Sequence, residues 1–183
     1  AVDSVYRSAN LREIEKELRA QIEKAKLAGI DFTHFDSHMG TLFGREDYLK
    51  VLMKLGREYN VPVMLLQPLP GTVFNYKLDS FISEKDVFVN AIFGAGPNDF
   101  KNGMADYYTK TLNGLRPGVS VMIIHTAFDD KEMQAVTVDH PDWGAAWRQA
   151  DYNFFTSDIC KRIIKDQKIQ LITWREIRDK LLR

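Results

Sequence analysis

Histidine and aspartate occupy alternate positions in the segment Thr33–His38, as His34, Asp36 and His38. Phe32 to Asp36 is predicted to be a short β-strand, and side chains two residues apart in a strand point to the same face. Placing two imidazoles and a carboxylate together is unfavourable without a metal ion or a hydrogen-bond network. We therefore expect a functional site on this face.

The spacing decides which of these side chains can share a metal ion. In an extended strand His34 and His38 are about 13 Å apart, at ~3.3 Å per residue, whereas each imidazole must reach within about 2.1 Å of the ion. His38, which is followed by Met39-Gly40, is therefore the better ligand, and His34 can join it only where the backbone turns. Otherwise His34 and Asp36 are expected to act as acid–base groups or to support His38 from beneath.

His125 is the second candidate for chemistry. It ends an apolar run from Val119 that is predicted to be a buried strand. Parallel α/β folds place their active sites at the C-terminal ends of the strands. We therefore expect His125 and His38 to meet at one rim. A rim histidine that only bonds a loop carbonyl is the alternative.

A loop of about 20 residues follows His125, and an ordered loop of that length is more often functional than idle. It carries aromatic rings beside carboxylates. Rings can stack on the C–H faces of a sugar, and carboxylates accept hydrogen bonds from its hydroxyls. We expect Phe128, Asp130, Trp143 and Arg148 to contact substrate. Simple packing of the tryptophan and a buried ion pair for Arg148 are the alternatives.

Helices and strands that would position these residues alternate along the chain. Hydrophobic spacing and capping signals predict five helices, from Leu11 to about Gly29, Glu46 to Tyr59, Phe100 to Leu112, Ala145 or Trp147 to Asp166, and Thr173 to Leu182. Apolar runs predict four strands, at Phe32–Asp36, Val61–Leu66, Val119–His125 and Ile169–Thr173. The stretch Ser83–Phe93 is left open between helix and strand, and Gly94–Pro97 indicates a turn.

This alternation predicts an α/β fold with a parallel sheet, either an open sheet or a barrel, in a single domain over residues 1–183. Four to five strands are recognisable, whereas a closed eight-stranded barrel takes about 250 residues. The chain starts without methionine, just ahead of a helix. We therefore expect either a smaller sheet or an incomplete barrel whose first strands precede Ala1.

Composition narrows the class of protein. The 183 residues are 45% hydrophobic and 27% charged, with 25 basic and 25 acidic side chains, so a nucleic acid is not an expected partner. No run is long and apolar enough to span a bilayer. Cys160 is expected to be a buried apolar residue rather than a reactive thiol, and one cysteine fits a reducing, cytoplasmic compartment. Exposed sheet edges would permit a homo-oligomer.

Several segments resemble the YdjC-like carbohydrate deacetylases, which are related to chitooligosaccharide deacetylase. Thr33–His38 resembles the motif T-H-x-D-S-H of that family, and Ile124–Asp130 resembles its strand-end H-P-A motif, with Thr126 in place of the usual proline. The segments Trp147–Asp151 and Ile172–Glu176 resemble its C-terminal region.

The resemblance implies a parallel β/α barrel-like fold and metal-dependent removal of an N-acetyl group from an amino sugar. A divalent ion, Mg or Zn, would be bound partly by His38, a carboxylate would act as base, and His125 would protonate the departing amine. The family's Asp-Asp pair and early histidine have no counterpart here and are expected before Ala1. A metal-dependent lyase, isomerase or phosphoesterase and a non-catalytic sugar-binding or structural fragment remain as alternatives.

Overall fold

A computed structural model describes residues 2–67, 81–84, 86–140 and 142–182. The chain divides into two compact units, one formed by Ala1–Val89 with Ile172–Arg183 and the other by Asn90–Leu171. The expectation of a single domain stays a prediction.

The first unit packs helices on a short parallel sheet. Its helices are α1 (Val2–Ser8), α2 (Leu11–Leu27), α3 (Glu46–Glu58) and α9 (Trp174–Leu181), with a 3-10 segment at His38–Gly44, and its strands are β1 (Met64–Leu66) and β2 (Val87–Val89). The two strands pair in parallel with Leu65 opposite Phe88.

The second unit has the same kind of construction. Its strands are β3 (Ala91–Gly94) and β4 (Ser120–Ile123), and its helices are α4 (Pro97–Asn102), α5 (Met104–Asn113), α6 (Lys131–Val136), α7 (Ala145–Phe155) and α8 (Asp158–Asp166). The strands pair in parallel with Phe93 opposite Met122. The α/β class and the parallel pairing are therefore confirmed, while the strands described here do not close a barrel.

Each unit has its own hydrophobic core. In the first, α3 buries Tyr48, Leu52 and Met53 against Leu65 of β1 and the preceding Val63. In the second, the core surrounds Tyr108 of α5, Trp147 and Phe154 of α7, and Cys160 and Ile163 of α8. Cys160 is 1% exposed, which confirms that it is a buried residue. No helix in the described parts of the chain is long and apolar enough to cross a membrane.

Two predicted strands are wrong. Phe32–Asp36 contributes one isolated bridge, Phe35 to Val63, because the chain turns into the 3-10 segment before a ladder can extend. Ile169–Thr173 is irregular. The open stretch at residues 83–93 contains β2 and starts β3.

Two predicted long helices are interrupted. The first is broken at Gly103, whose φ of 101° lies outside the helical region, and separate helices α4 and α5 result. The second ends at Phe155, and Ser157 then starts α8 by accepting a hydrogen bond from the Cys160 amide. The long loop after β4 contains the short helix α6.

Candidate functional site

A cavity of about 200 Å³ opens at the C-terminal ends of β3 and β4. Gly94 and Ile123 are the last residues of these strands, and His125 follows two residues later. This is the edge at which parallel sheets place ligands, and the structure puts His125 there. The cavity is lined by Gly94, Ala95, Tyr108, Ile123, His125, Trp143 and Trp147.

Two tryptophans form an aromatic wall of the cavity. The rings of Trp143 and Trp147 are 5.1 Å apart at 32°. Trp147 is buried, whereas Trp143 is 44% exposed. Trp143 has a φ of 60°, in the left-handed region, and its carbonyl accepts a hydrogen bond from Arg148 Nε at 2.9 Å. Arg148 therefore holds the backbone that presents Trp143.

A buried carboxylate lies behind this cavity. Asp151 of α7 is fully buried; its Oδ1 accepts a hydrogen bond from Tyr108 Oη at 2.5 Å and its Oδ2 accepts one from the His125 amide at 2.8 Å. Burial raises the pKa of Tyr108 well above its usual range, and the neighbouring Asp151 carboxylate adds to that shift. The phenol therefore stays protonated and donates.

Sequence analysis assigned no role to Tyr108 or Asp151. One signal was available: Asp151 is four residues after Trp147 and so lies on the same helix face. A carboxylate on a buried helix face needs hydrogen-bond donors, and the Tyr108 hydroxyl and the His125 amide supply them.

The other predicted substrate contacts lie outside the described lining of the cavity. Phe128 is 60% exposed and packs on Tyr152 with ring centroids 4.8 Å apart. Asp130 caps α6 by accepting a hydrogen bond from the Met133 amide at 2.9 Å. Asp130 therefore has a structural role that is visible in the structure, while its contact with a sugar stays a prediction.

His34 lies half-buried in the first unit, stacked on Trp174. The ring centroids are 4.5 Å apart and the planes differ by 7°. Its Nδ1 is 3.1 Å from Thr33 Oγ1. Burial lowers the pKa of His34, and the charge of Asp36 opposes that shift. At neutral pH the His34 ring is therefore mainly uncharged.

His38 stands where the backbone turns. It begins the 3-10 segment, in which Met39 and Gly40 both have positive φ, and buried Ser37 accepts a hydrogen bond from the Leu42 amide at 2.8 Å. His38 and Asp36 are both exposed. His34 and His38 could share one metal ion only if the backbone turned between them. The turn that the structure shows lies after His38.

A bound metal ion needs several donor side chains close together. Within residues 2–67, 81–84, 86–140 and 142–182, no three His, Cys, Asp or Glu side chains are grouped so that they could hold a metal ion. The described residues thus do not form a complete cation site, and the metal roles of His34 and His38 stay predictions. His38 and His125 belong to different compact units, so their meeting at one rim also stays a prediction.

Comparison with known proteins decides the family. The model of a family described as YdjC-like protein matches residues 1–166. The chain belongs to the YdjC-like family. The resemblance seen in the sequence motifs of this YdjC-like chain is therefore confirmed.

Two curated relatives of this YdjC-like chain are named carbohydrate deacetylase. The relative from Thermus thermophilus is 26% identical over 99% of the chain, and that from Brevibacillus brevis is 33% identical over 93% of it. The chain spans 66% and 63% of the lengths of these relatives.

A solved structure shares the fold. It is the crystal structure of an Enterococcus faecalis V583 protein named as a candidate for cellobiose-phosphate cleavage, with a TM-score of 0.69 and 19% identity. The match covers 92% of this chain and 61% of the other. At that identity the likeness concerns the fold alone.

Proposed function

We propose that this YdjC-like chain is part of a carbohydrate deacetylase that hydrolyses the N-acetyl group of an amino sugar or its oligosaccharide. The observation that carries the proposal is the position of His125, at the ends of two parallel strands in a cavity walled by Trp143 and Trp147. The names of the curated relatives support the same reaction class.

Hydrolysis of the amide requires two proton transfers. Water adds to the acetyl carbonyl carbon and loses a proton to a base, the C–N bond breaks, and the nitrogen takes a proton as it leaves as an amine, with acetate as the second product. His125 is assigned as the proton donor, because it lines the cavity and histidine is the side chain that most often transfers protons in catalysis. Asp36 and an aspartate that the family carries ahead of this segment are the two candidates for the base.

The exposed aromatic rings suit a sugar. Trp143 offers a half-exposed indole face beside His125, and Phe128 offers an exposed ring on the loop that follows it. A pyranose ring can stack its C–H face on such a surface while the acetamido group reaches the cavity. A small carbohydrate is therefore the proposed partner, and Asp130 and Arg148 are proposed to border it.

A divalent ion, Mg or Zn, is proposed to be needed by the complete enzyme, with His38 as a ligand. His34 would be a second ligand only if the backbone turned between the two histidines, and the turn that the structure shows follows His38. When bound, such an ion polarises a carbonyl and activates water. The residues that the structure describes do not by themselves complete a site for such an ion. Activity lost on dialysis against a chelator and regained with one ion would support the requirement, and full activity after removal of metal would contradict it.

We further propose a parallel β/α barrel-like fold for the complete protein, to which this chain contributes; the chain spans 66% and 63% of the lengths of the two relatives. Exposed strand edges would then favour pairing between copies. A cytoplasmic location is proposed from the single cysteine. Sedimentation and cell fractionation test these two points.

The experiment for the proposed activity measures acetate release from N-acetylglucosamine and its oligomers, using the 183-residue chain and a version extended to the length of the relatives. His125→Ala should lower kcat by a factor of about 10² or more, the usual contribution of a general acid. His140→Ala is the matched control, because His140 is exposed. Equal loss in both variants, or none in His125→Ala, would remove His125 from the mechanism.

The same assay separates the alternatives. Sugar binding without acetate release would indicate a non-catalytic sugar-binding module. Turnover of a phosphorylated sugar without acetate release would indicate a phosphoesterase, lyase or isomerase on the same fold.

A further inference from the structure

We infer that Asp151 is a positioning residue that fixes the backbone of His125 and the hydroxyl of Tyr108, two residues that line the cavity. The catalytic consequence rests on the function proposed for His125. The structural consequence does not, because it concerns hydrogen bonds within the chain.

One carboxylate joins three elements. Asp151 lies on α7, Tyr108 on α5, and His125 just after β4. The distances are 2.5 Å from Tyr108 Oη to Oδ1 and 2.8 Å from the His125 amide to Oδ2. Both Tyr108 and His125 also line the cavity. The Asp151 carboxylate therefore fixes the position of the Tyr108 hydroxyl and of the His125 backbone, from which the imidazole extends.

The backbone after β4 is attached to α7 at a second point. The Ala127 amide donates to the carbonyl of Arg148 at 3.3 Å. Residues 125 and 127 thus both donate to α7, and the chain between them is fixed at both ends. The backbone conformation of residues 125–127 is therefore fixed relative to α7. The same helix carries Trp147, one turn before Asp151.

Asp151 is not placed to react with a ligand. Its side chain has no exposed surface, and each of its oxygens already accepts a hydrogen bond. The raised pKa of Tyr108 keeps its hydroxyl as a donor. Since a buried carboxylate with donors on both oxygens is costly to disturb, the arrangement is expected to be rigid.

Asp151→Ala and Asp151→Asn form a matched pair. Alanine leaves the His125 amide and the Tyr108 hydroxyl without an acceptor. Asparagine keeps the acceptor of the His125 amide through its Oδ1, whereas its Nδ2 can only donate to Tyr108 Oη, so the direction of that second hydrogen bond is reversed. Asp158→Ala is the control, since Asp158 is exposed on the neighbouring helix α8.

Amide hydrogen exchange followed by NMR on the 183-residue chain tests the inference directly. Asp151→Ala should speed exchange at His125 by about tenfold, the effect of losing one hydrogen bond, with a smaller change at Val121 of β4. Asp151→Asn should restore slow exchange at His125. Unchanged exchange in Asp151→Ala, or an equal rise at Val121 and His125, would overturn the inference.

Tyr108→Phe provides a second variant in case Asp151→Ala does not fold. It removes one donor from the carboxylate and should speed exchange at His125 by about twofold to threefold, and no change would count against the inference. In an active enzyme, Asp151→Ala should lower kcat while KM stays the same, and Asp151→Asn should recover kcat. If no form releases acetate, the proposed function fails while the exchange result still decides the role of Asp151.

Discussion

The imidazole of His34 lies parallel to the indole of Trp174, with 4.5 Å between ring centroids. Trp174 is the first residue of α9, so this stack joins the C-terminal helix to the segment that carries the family motif. Arg175 and Arg178 of the same helix both contact Asp31, three residues before His34. Helix α9 therefore packs against the motif segment through the stack on His34 and the ion pairs to Asp31.

Removal of the Trp174 ring should raise the pKa of His34. Burial is the main cause of its lowered pKa, so Trp174→Ala should bring the value back towards about 6.5. Trp174→Phe keeps an aromatic cover and is the control. Asp36→Asn should act in the opposite direction, because the Asp36 charge raises the pKa. NMR titration of the His34 ring measures all three.

The sign of the stability effect follows. A histidine with a pKa lowered by folding binds its proton more readily when unfolded, so the protein loses stability as pH falls from about 6.5 through the lower folded pKa. Trp174→Ala should show a smaller loss over that interval. A titration in which Trp174→Ala leaves the pKa of His34 unchanged would refute the burial explanation.

Asp31→Asn should destabilise the protein most at neutral pH. Hydrogen bonds from Arg178 and then Arg175 hold the pKa of Asp31 well below its usual range. A lowered carboxyl pKa gives stability that is present above the unfolded value of about 3.9 and is lost as pH falls through the folded pKa. The difference in melting temperature between the two proteins should therefore shrink below about pH 4. A constant difference from pH 7 to pH 2 would contradict this account.

Gly56→Ala should destabilise the first unit. A Cβ at Gly56 would lie 2.5 Å from Val63 Cγ2 and 3.0 Å from the Val61 carbonyl oxygen. Overpacking costs about 1–3 kcal/mol, which exceeds the gain of about 1 kcal/mol from replacing glycine in a helix. Urea unfolding measures the change. Lys54→Ala, an exposed substitution in the same helix, should have little effect, and equal stability of Gly56→Ala and wild type would show that the helix shifts freely.

Arg148→Ala should loosen Trp143. The Arg148 side chain holds the Trp143 carbonyl at 2.9 Å, and a left-handed tryptophan costs about 1–2 kcal/mol, so loss of that contact should let the backbone relax. In a Trp174→Phe background, acrylamide quenching of the remaining tryptophans should increase. Arg162→Ala, an exposed change on α8, should leave quenching unchanged, and the same result for Arg148→Ala would contradict the prediction.

Cys160 should react slowly with iodoacetamide at pH 8 in the folded protein and quickly in urea. Its side chain is buried, and burial raises the pKa of its thiol, so the reactive thiolate is scarce. Mass spectrometry of the alkylated protein measures both rates. Equal rates would show that α8 opens readily.

Local signals predicted the helix starts well. The capping boxes of Asn10 with Glu13 and of Thr173 with Glu176 are both formed, because each depends on residues three apart. The same rule applies to Asp130, which caps α6 by accepting a hydrogen bond from the Met133 amide. Local chemistry therefore explains part of the candidate site.

Pairing between distant segments was harder to predict. The segment around Phe35 has the residue types of a strand, but only its contact with Val63 forms. Asp151 and His125 are 26 residues apart, and no spacing rule joins them. His125 itself could be placed, because the end of an apolar strand is a local pattern that also fixes its position at the sheet edge.

The loop after β4 has its backbone tied to α7, through the amides of Ala127 and Asp129, which donate to the Arg148 carbonyl and to Gln149 Oε1. Phe128 lies between these two attachment points. A ligand that stacks on the Phe128 ring would bind to a loop whose backbone conformation is already fixed. Association there should consequently carry only a small entropic penalty for ordering the protein.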